Sequence, residues 1–196
     1  MACYFPALLI DNYEMRYYFK RMGSKAASPP RRPWTKIAWS GLGAFVGIYL
    51  VATLSKFVSS DITDHLFLIG SFGASAVLLY GAPQAEFSQP RNLVGGHVLS
   101  ALIGITLYKL FPEPVALVSA LAVALSIIAM HATRTLHPPG GATALIAVSG
   151  SSNSHLLGYG FVLAPVALGA LVMLLVALVI NNLSSNPKRH YPVYWV

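Results

Sequence analysis

One stretch gathers the residue types able to hold a ligand inside an apolar region: His137-Pro138-Pro139-Gly140-Gly141-Ala142-Thr143-Ala144. Proline disfavours helix at the residue before it, so a helix running from Val115 is predicted to stop near Leu136. Proline also suits the first position of a new helix, where its missing N–H is not needed. His137 is then at or near the cap of a second, short apolar helix, residues 138–148. Gly140 and Gly141 let another backbone or a ligand come close. A helix N-terminus within an apolar region attracts anions, and broken membrane helices are where transporters often bind their cargo. The useful donors are the amides from Gly140 onward and the Thr143 hydroxyl, because Pro138 and Pro139 have no N–H.

Further polar groups flank this stretch. His131, Arg134 and His137 lie at i, i+3 and i+6. That spacing drifts around a helix and lacks the glutamate of a zinc protease, so no metal site is expected. Arg134 facing a cavity is the best single partner for an anion. Arg91 sits in the loop Pro83-Gln84-Ala85-Glu86-Phe87-Ser88-Gln89-Pro90-Arg91-Asn92, where it is either a headgroup-level arginine or a cation at the mouth of an anion path. His97 follows Gly95-Gly96 and reads as a hydrogen-bonded packing histidine. No nucleophile with a base, glycine-rich phosphate loop or Gly-x-Ser-x-Gly elbow occurs, so no enzyme is expected. Cys3 is the only cysteine, which excludes an intrachain disulfide and a cysteine metal site. No cofactor is expected.

The elements that must position these groups are membrane helices. The 196 residues are 56% hydrophobic and 10% charged, with a mean hydropathy of +0.63. A soluble domain carries about 25% charged residues. Six apolar segments can be counted, at about residues 37–58, 66–81, 93–111, 115–130, 138–148 and 156–180. A span needs about 20 residues, so the second and fifth are short. Each is either a thin crossing or a re-entrant half-helix. They also resemble each other: Gly73-Ala74-Ser75-Ala76-Val77-Leu78 aligns with Gly141-Ala142-Thr143-Ala144-Leu145-Ile146 at a shift of 68. The fold class expected is therefore all-α, a polytopic bundle of four long and two short helices forming an inverted internal repeat.

The net charge is +7. Arg16, Lys20, Arg21, Lys25, Arg31, Arg32 and Lys36 all precede the first apolar run, as expected of a cytoplasmic membrane flank rather than a nucleic-acid tail. With six crossings, Arg91, Arg134, Lys188 and Arg189 join that side, leaving only Lys56 and Lys109 opposite. With two re-entrant segments, Arg91 and Arg134 change sides with Lys109. Both arrangements obey the positive-inside rule, the first slightly better. The organisation expected is a basic segment and linker (1–33), a transmembrane domain (34–183) and a short cytoplasmic tail (184–196). The first residues do not read as a signal peptide. A plasma-type inner membrane, with both termini cytoplasmic, is the expected location.

The quoted motifs resemble the HPP family of integral membrane proteins. Thr133-Arg134-Thr135-Leu136-His137-Pro138-Pro139 is similar to its signature, and Phe72-Gly73-Ala74-Ser75-Ala76-Val77-Leu78 and Gln89-Pro90-Arg91-Asn92 to its other recurring stretches. The resemblance implies a small multi-span protein suspected of transport, some plastid and cyanobacterial members being linked to nitrite uptake. The reading is then a transporter or channel for a small anion, nitrite first. Ser75, Arg91, Arg134, His137, Gly140, Gly141 and Thr143 are the candidate binding residues. The alternative is a non-transporting sensor or assembly partner, marked by a repeat interface packed shut by glycines. Lipid is a partner in either case. The glycine-rich faces suit a homo-oligomer.

Overall fold

The computed structural model describes residues 12–23, 26–58, 70–150 and 152–196; of residues 12–14, 55–58 and 152–154 only the backbone is described. The predicted start of the second segment at Leu66 lies outside the described residues, as do Cys3, Lys25 and the Lys56 side chain. The chain divides into two units, Met1–Arg32 and Pro33–Val196. In the first, α1 (Asn12–Arg21) carries its basic residues beside exposed aromatic ones, with Arg21 4.3 Å over the Tyr17 ring.

The second unit is helical throughout, with no strand among the described residues. Its helices are α2 (Trp34–Val58), α3 (70–81), α4 (Pro90–Leu110), α5 (Val115–Thr133), α6 (Pro138–Ser149), α7 (Ser152–Leu157) and α8 (Val162–Leu183). Four of them, α2, α4, α5 and α8, are long and apolar enough to cross a membrane. Their outer faces expose Phe45, Tyr49, Leu117, Ile128, Leu175 and Leu183, a surface that only lipid solvates favourably.

Local chemistry sets the boundaries. Pro90 occupies the first turn of α4, and Pro138 and Pro139 that of α6. α5 ends at Thr133, three residues before the predicted stop. Arg134 there adopts a left-handed conformation (φ 56°). Its N–H donates to the His131 carbonyl and that of Thr135 to the Met130 carbonyl, the two bonds of a Schellman ending. The last apolar segment is not one helix from 156 to 180. Gly158, at φ 52°, separates α7 from α8. α8 opens with a π-helical turn over Val162–Ala167, non-helical at Ala164, the residue that Pro165 keeps out of the α region.

The packing is reciprocal. α2 lies on α8 and α5 on α4, so each half's first long helix pairs with the other half's last. The short helices fill the space between: α6 packs on α4 and α5, and the end of α3 on α2 and α8. Val51, Phe72, Leu79, Tyr80, Met173 and Ala177 form the core around α3. Ala101, Ile105, Ile146, Ala147 and Phe161 form another beside α6.

Hydrogen bonds also settle which connections share a face. Arg189 and Ser40 join the start of α2 to the end of α3 and the tail. The tail's Tyr191 bonds Ser88, and Tyr194 bonds Asn92. Asn92 reaches the Leu136 carbonyl, and Arg91 the Thr133 carbonyl. The start of α2, the 82–92 loop, the 134–137 turn and the tail therefore lie at one end of the bundle. That is the six-crossing order; paired re-entrant segments would separate them.

Candidate functional site

Where α3, α4 and α6 meet, five polar side chains are sealed from solvent: Ser71, Ser75, His97, His137 and Thr143. Ser75 Oγ lies 2.8 Å from Nε2 of His97 and 2.8 Å from Nε2 of His137. His97 Nδ1 is 2.7 Å from Thr143 Oγ1, which is 2.6 Å from Ser71 Oγ. Ser71 Oγ also reaches the Pro139 carbonyl at 3.3 Å. At the other end, His137 Nδ1 is 2.7 Å from the Phe87 carbonyl. The imidazole centroids are 4.9 Å apart, and Phe72 covers His97 at the same distance.

Glycines make this meeting possible. A Cβ on Gly96 would come 2.6 Å from the Cβ of His137 and 2.9 Å from the Thr135 carbonyl oxygen; one on Gly140 would come 2.8 Å from Ser100 Oγ and 2.9 Å from the Gly96 carbonyl oxygen. The α4 and α6 backbones are therefore in direct contact, which sets His97 opposite Thr143. Pro138 holds His137 extended, at φ −136° and ψ 102°, so its ring turns back between Ser75 and Phe87.

The donors can be assigned. A carbonyl only accepts, so Nδ1 of His137 carries its proton toward Phe87. With both rings neutral, His137 Nε2 then accepts from Ser75 and Ser75 accepts from His97 Nε2–H. His97 Nδ1 accepts from Thr143, which accepts from Ser71. These bonds run in one direction; the single Ser71 hydrogen goes to Thr143, so the 3.3 Å contact of Ser71 with the Pro139 carbonyl carries no hydrogen in this arrangement.

Among the predicted binding residues, Ser75, His137 and Thr143 come together here. The others do not join them. Gly140 is a packing contact, and its N–H already donates to the His137 carbonyl at 2.8 Å. With Pro138 and Pro139 lacking donors, the first three residues of α6 present no free amide, unlike the expected anion cradle. Gly141 faces α5, the Val123 methyl 3.7 Å from its Cβ position. Arg91 is half-buried at the rim, donating to the Thr133 carbonyl at 2.8 Å. Arg134 is exposed. Sequence reasoning treats His97 as packing and passes over Ser71. The signal for both is the shift of 68, which pairs Ser75 with Thr143 and, one turn earlier, Ser71 with Pro139. His97 bridges the first pair, and Ser71 Oγ lies 3.3 Å from the Pro139 carbonyl oxygen in the second.

Apolar spans enclosing two short helices and a buried histidine–hydroxyl junction define a polytopic α-helical membrane protein. The sequence pattern of the HPP transmembrane region matches residues 29–192. The chain belongs to the HPP family. Two relatives from Dictyostelium discoideum, each described only as a transmembrane protein, are 45% identical over 181 residues and 43% identical over 190. These alignments cover 91% and 95% of this chain but 57% and 65% of the relatives, so the chain spans about three fifths of their length. No solved structure matches it.

Proposed function

We propose that the protein is a transporter or channel for a small anion, with nitrite the leading cargo, and that the histidine–hydroxyl junction is where the anion is held. The observation that carries this reading is five mutually bonded polar side chains buried among apolar spans. Polar groups at such depth are costly, and in membrane proteins they mark pathways. Amides contribute less than the sequence leads one to expect. The donors are the hydroxyls of Ser75 and Thr143 and the imidazole N–H groups, all beside the N-terminus of α6. In the described conformation those donors are occupied by one another, so the anion must displace them to bind. Arg91 and Arg134, at one end of the bundle, supply positive potential at the mouth. By the positive-inside rule that end is cytoplasmic. The reading assigns no covalent chemistry to the cargo.

Proteoliposomes holding the purified protein should take up nitrite faster than nitrate, formate or chloride. Thr143→Val should lower apparent nitrite affinity roughly tenfold, the consequence of losing a hydrogen bond to an anion worth about 1.5–3 kcal/mol. One observation favours a non-transporting role. Gly96, Gly104 and Gly140 bring backbones together with no room for a Cβ, as in an interface meant to stay closed. A folded, monodisperse protein that moves none of the four anions would establish that role instead.

A further inference from the structure

We propose that the His97–Ser75–His137 bridge is a proton relay closed at one end by the Phe87 carbonyl, and that a proton on this pair accompanies the anion; the second half rests on the anion reading. A structural lock needs one hydrogen arrangement. This network is satisfied in three.

The neutral arrangement is the first. If a proton is added at His97 Nδ1, that atom donates to Thr143, Thr143 turns its hydroxyl to Ser71, and Ser71 donates to the Pro139 carbonyl. Both oxygens stand within reach of that carbonyl already. Every group is again paired. Transfer gives the third arrangement. The Nε2–H bond of His97 breaks as its proton joins Ser75 Oγ, while the former hydroxyl proton of Ser75 forms a bond to His137 Nε2. Ser75 stays neutral, His97 is left neutral with its proton on Nδ1, and His137 becomes the imidazolium. Its Nε2–H now donates to Ser75, and Ser75 donates to His97. One proton has moved, no polar atom has lost its partner, and no heavy atom needs to shift.

The two rings are the titratable groups of the junction. α3 contributes Ser71 and Ser75, α4 His97, and α6 Thr143. The charged or titratable groups elsewhere on the surrounding elements are Glu86, Arg91, Tyr108, Lys109, His131 and Arg134, all exposed or half-exposed, Tyr108 being stacked on His155, and Tyr80, whose hydroxyl donates to the Met173 carbonyl. None bonds the junction. The proton therefore has two stations and no carboxylate between them.

Phe87 makes the far end a gate. A peptide carbonyl accepts the His137 Nδ1–H bond but does not hand a proton on, so release requires ring and carbonyl to part. The loop carrying Phe87 is held by the tail. Tyr191 donates to the Ser88 carbonyl at 2.8 Å, the Val193 amide to Gln89 Oε1 at 2.8 Å, and Tyr194 to the Glu86 carbonyl at 3.3 Å. Burial, with Tyr80 nearby, pushes the Tyr191 phenol above its ordinary range, so it remains a donor.

The test uses the full chain in liposomes with a trapped pH indicator, sodium nitrite as probe, and the membrane potential clamped with potassium and valinomycin. Equal proton and nitrite uptake is expected from the parent. Because Ser75 is also one of the anion's donors, Ser75→Ala should weaken nitrite uptake, and at nitrite concentrations raised until that uptake is measurable again the proton-to-nitrite ratio should fall to zero. Because that variant could misfold, solid-state nitrogen NMR of the parent gives an independent readout: neutral His137 protonated on Nδ1 and neutral His97 on Nε2. Nitrite uptake without protons, or a ratio untouched by Ser75→Ala in folded protein, overturns the relay and spares the anion reading. Ser75-dependent proton flux without nitrite uptake supports the relay and removes the anion. Absence of both fluxes, or His137 protonated on Nε2 alone, overturns the relay.

Discussion

Between α3, α4 and α6, five uncharged side chains bond chiefly to one another. Where α2 begins and α3 and α8 end, a single guanidinium does the opposite. Arg189 is fully buried and donates to the Lys36 carbonyl, Ser40 Oγ, the Tyr80 carbonyl and Asn181 Oδ1, the last at 2.7 Å. A guanidinium only donates, and carbonyls only accept, so the bonds of Arg189 have one direction; the single choice in that cluster is whether the Ser40 hydroxyl turns to the Lys36 or the Tyr80 carbonyl. Serine, threonine and imidazole both donate and accept, so the junction has several hydrogen orders. The contrast shows two ways in which one bundle buries polar groups. The fixed cluster fastens helices together, and the reversible one sits where the short helices cross.

Stability measurements can break this contrast. The largest effect is expected for Arg189→Met, which removes four hydrogen bonds donated by a charged group, at about 1.5–3 kcal/mol each. The loss should exceed about 3 kcal/mol in a detergent or lipid unfolding assay. Arg189→Lys should recover little of it, because an ammonium cannot span both arms of the fork. A fully stable Arg189→Lys would show that charge alone suffices. Gly140→Ala comes next, at about 1–3 kcal/mol from overpacking against the Gly96 backbone. Gly141→Ala, one residue on, should be neutral or stabilising by up to about 1 kcal/mol, since alanine is the better helix former and the contact there is ordinary. Equal costs at the two positions would mean that α4 and α6 do not meet through Gly140. The smallest effect belongs to Arg134→Gly, a gain below about 1 kcal/mol from relieving a left-handed residue at a helix end.

Legibility in the sequence depends on range. Apolar length discloses the four spans, and Pro138-Pro139 discloses the start of α6, because both act through local sterics and solvation. The predicted stop of α5 is three residues late because a Schellman ending at a non-glycine residue carries no compositional mark. The break at Gly158 is hidden in an apolar run. The short-helix motif leads to Ser75 and Thr143, and His-Pro-Pro to His137. His97 reads as packing because its partners lie 22 and 46 residues away. Gly140 and Gly141 look alike in sequence, and only tertiary packing separates a backbone contact from an open helical face. The tail's role is also invisible, since nothing local to Pro187-Lys188-Arg189 announces an acceptor near Lys36.

That clamp has a biosynthetic consequence. Chains emerge from the ribosome N-terminus first, so α2 is made long before Arg189. Until the residues after α8 appear, the Lys36 and Tyr80 carbonyls have no guanidinium to bind, and of the bonds in this cluster only that from Ser40 to the Tyr80 carbonyl can hold the first span to the end of α3. The bundle is thus closed by its latest-made part. A chain ending at Leu183 would present all four spans to the bilayer and still lack the bond that fastens the first to the last.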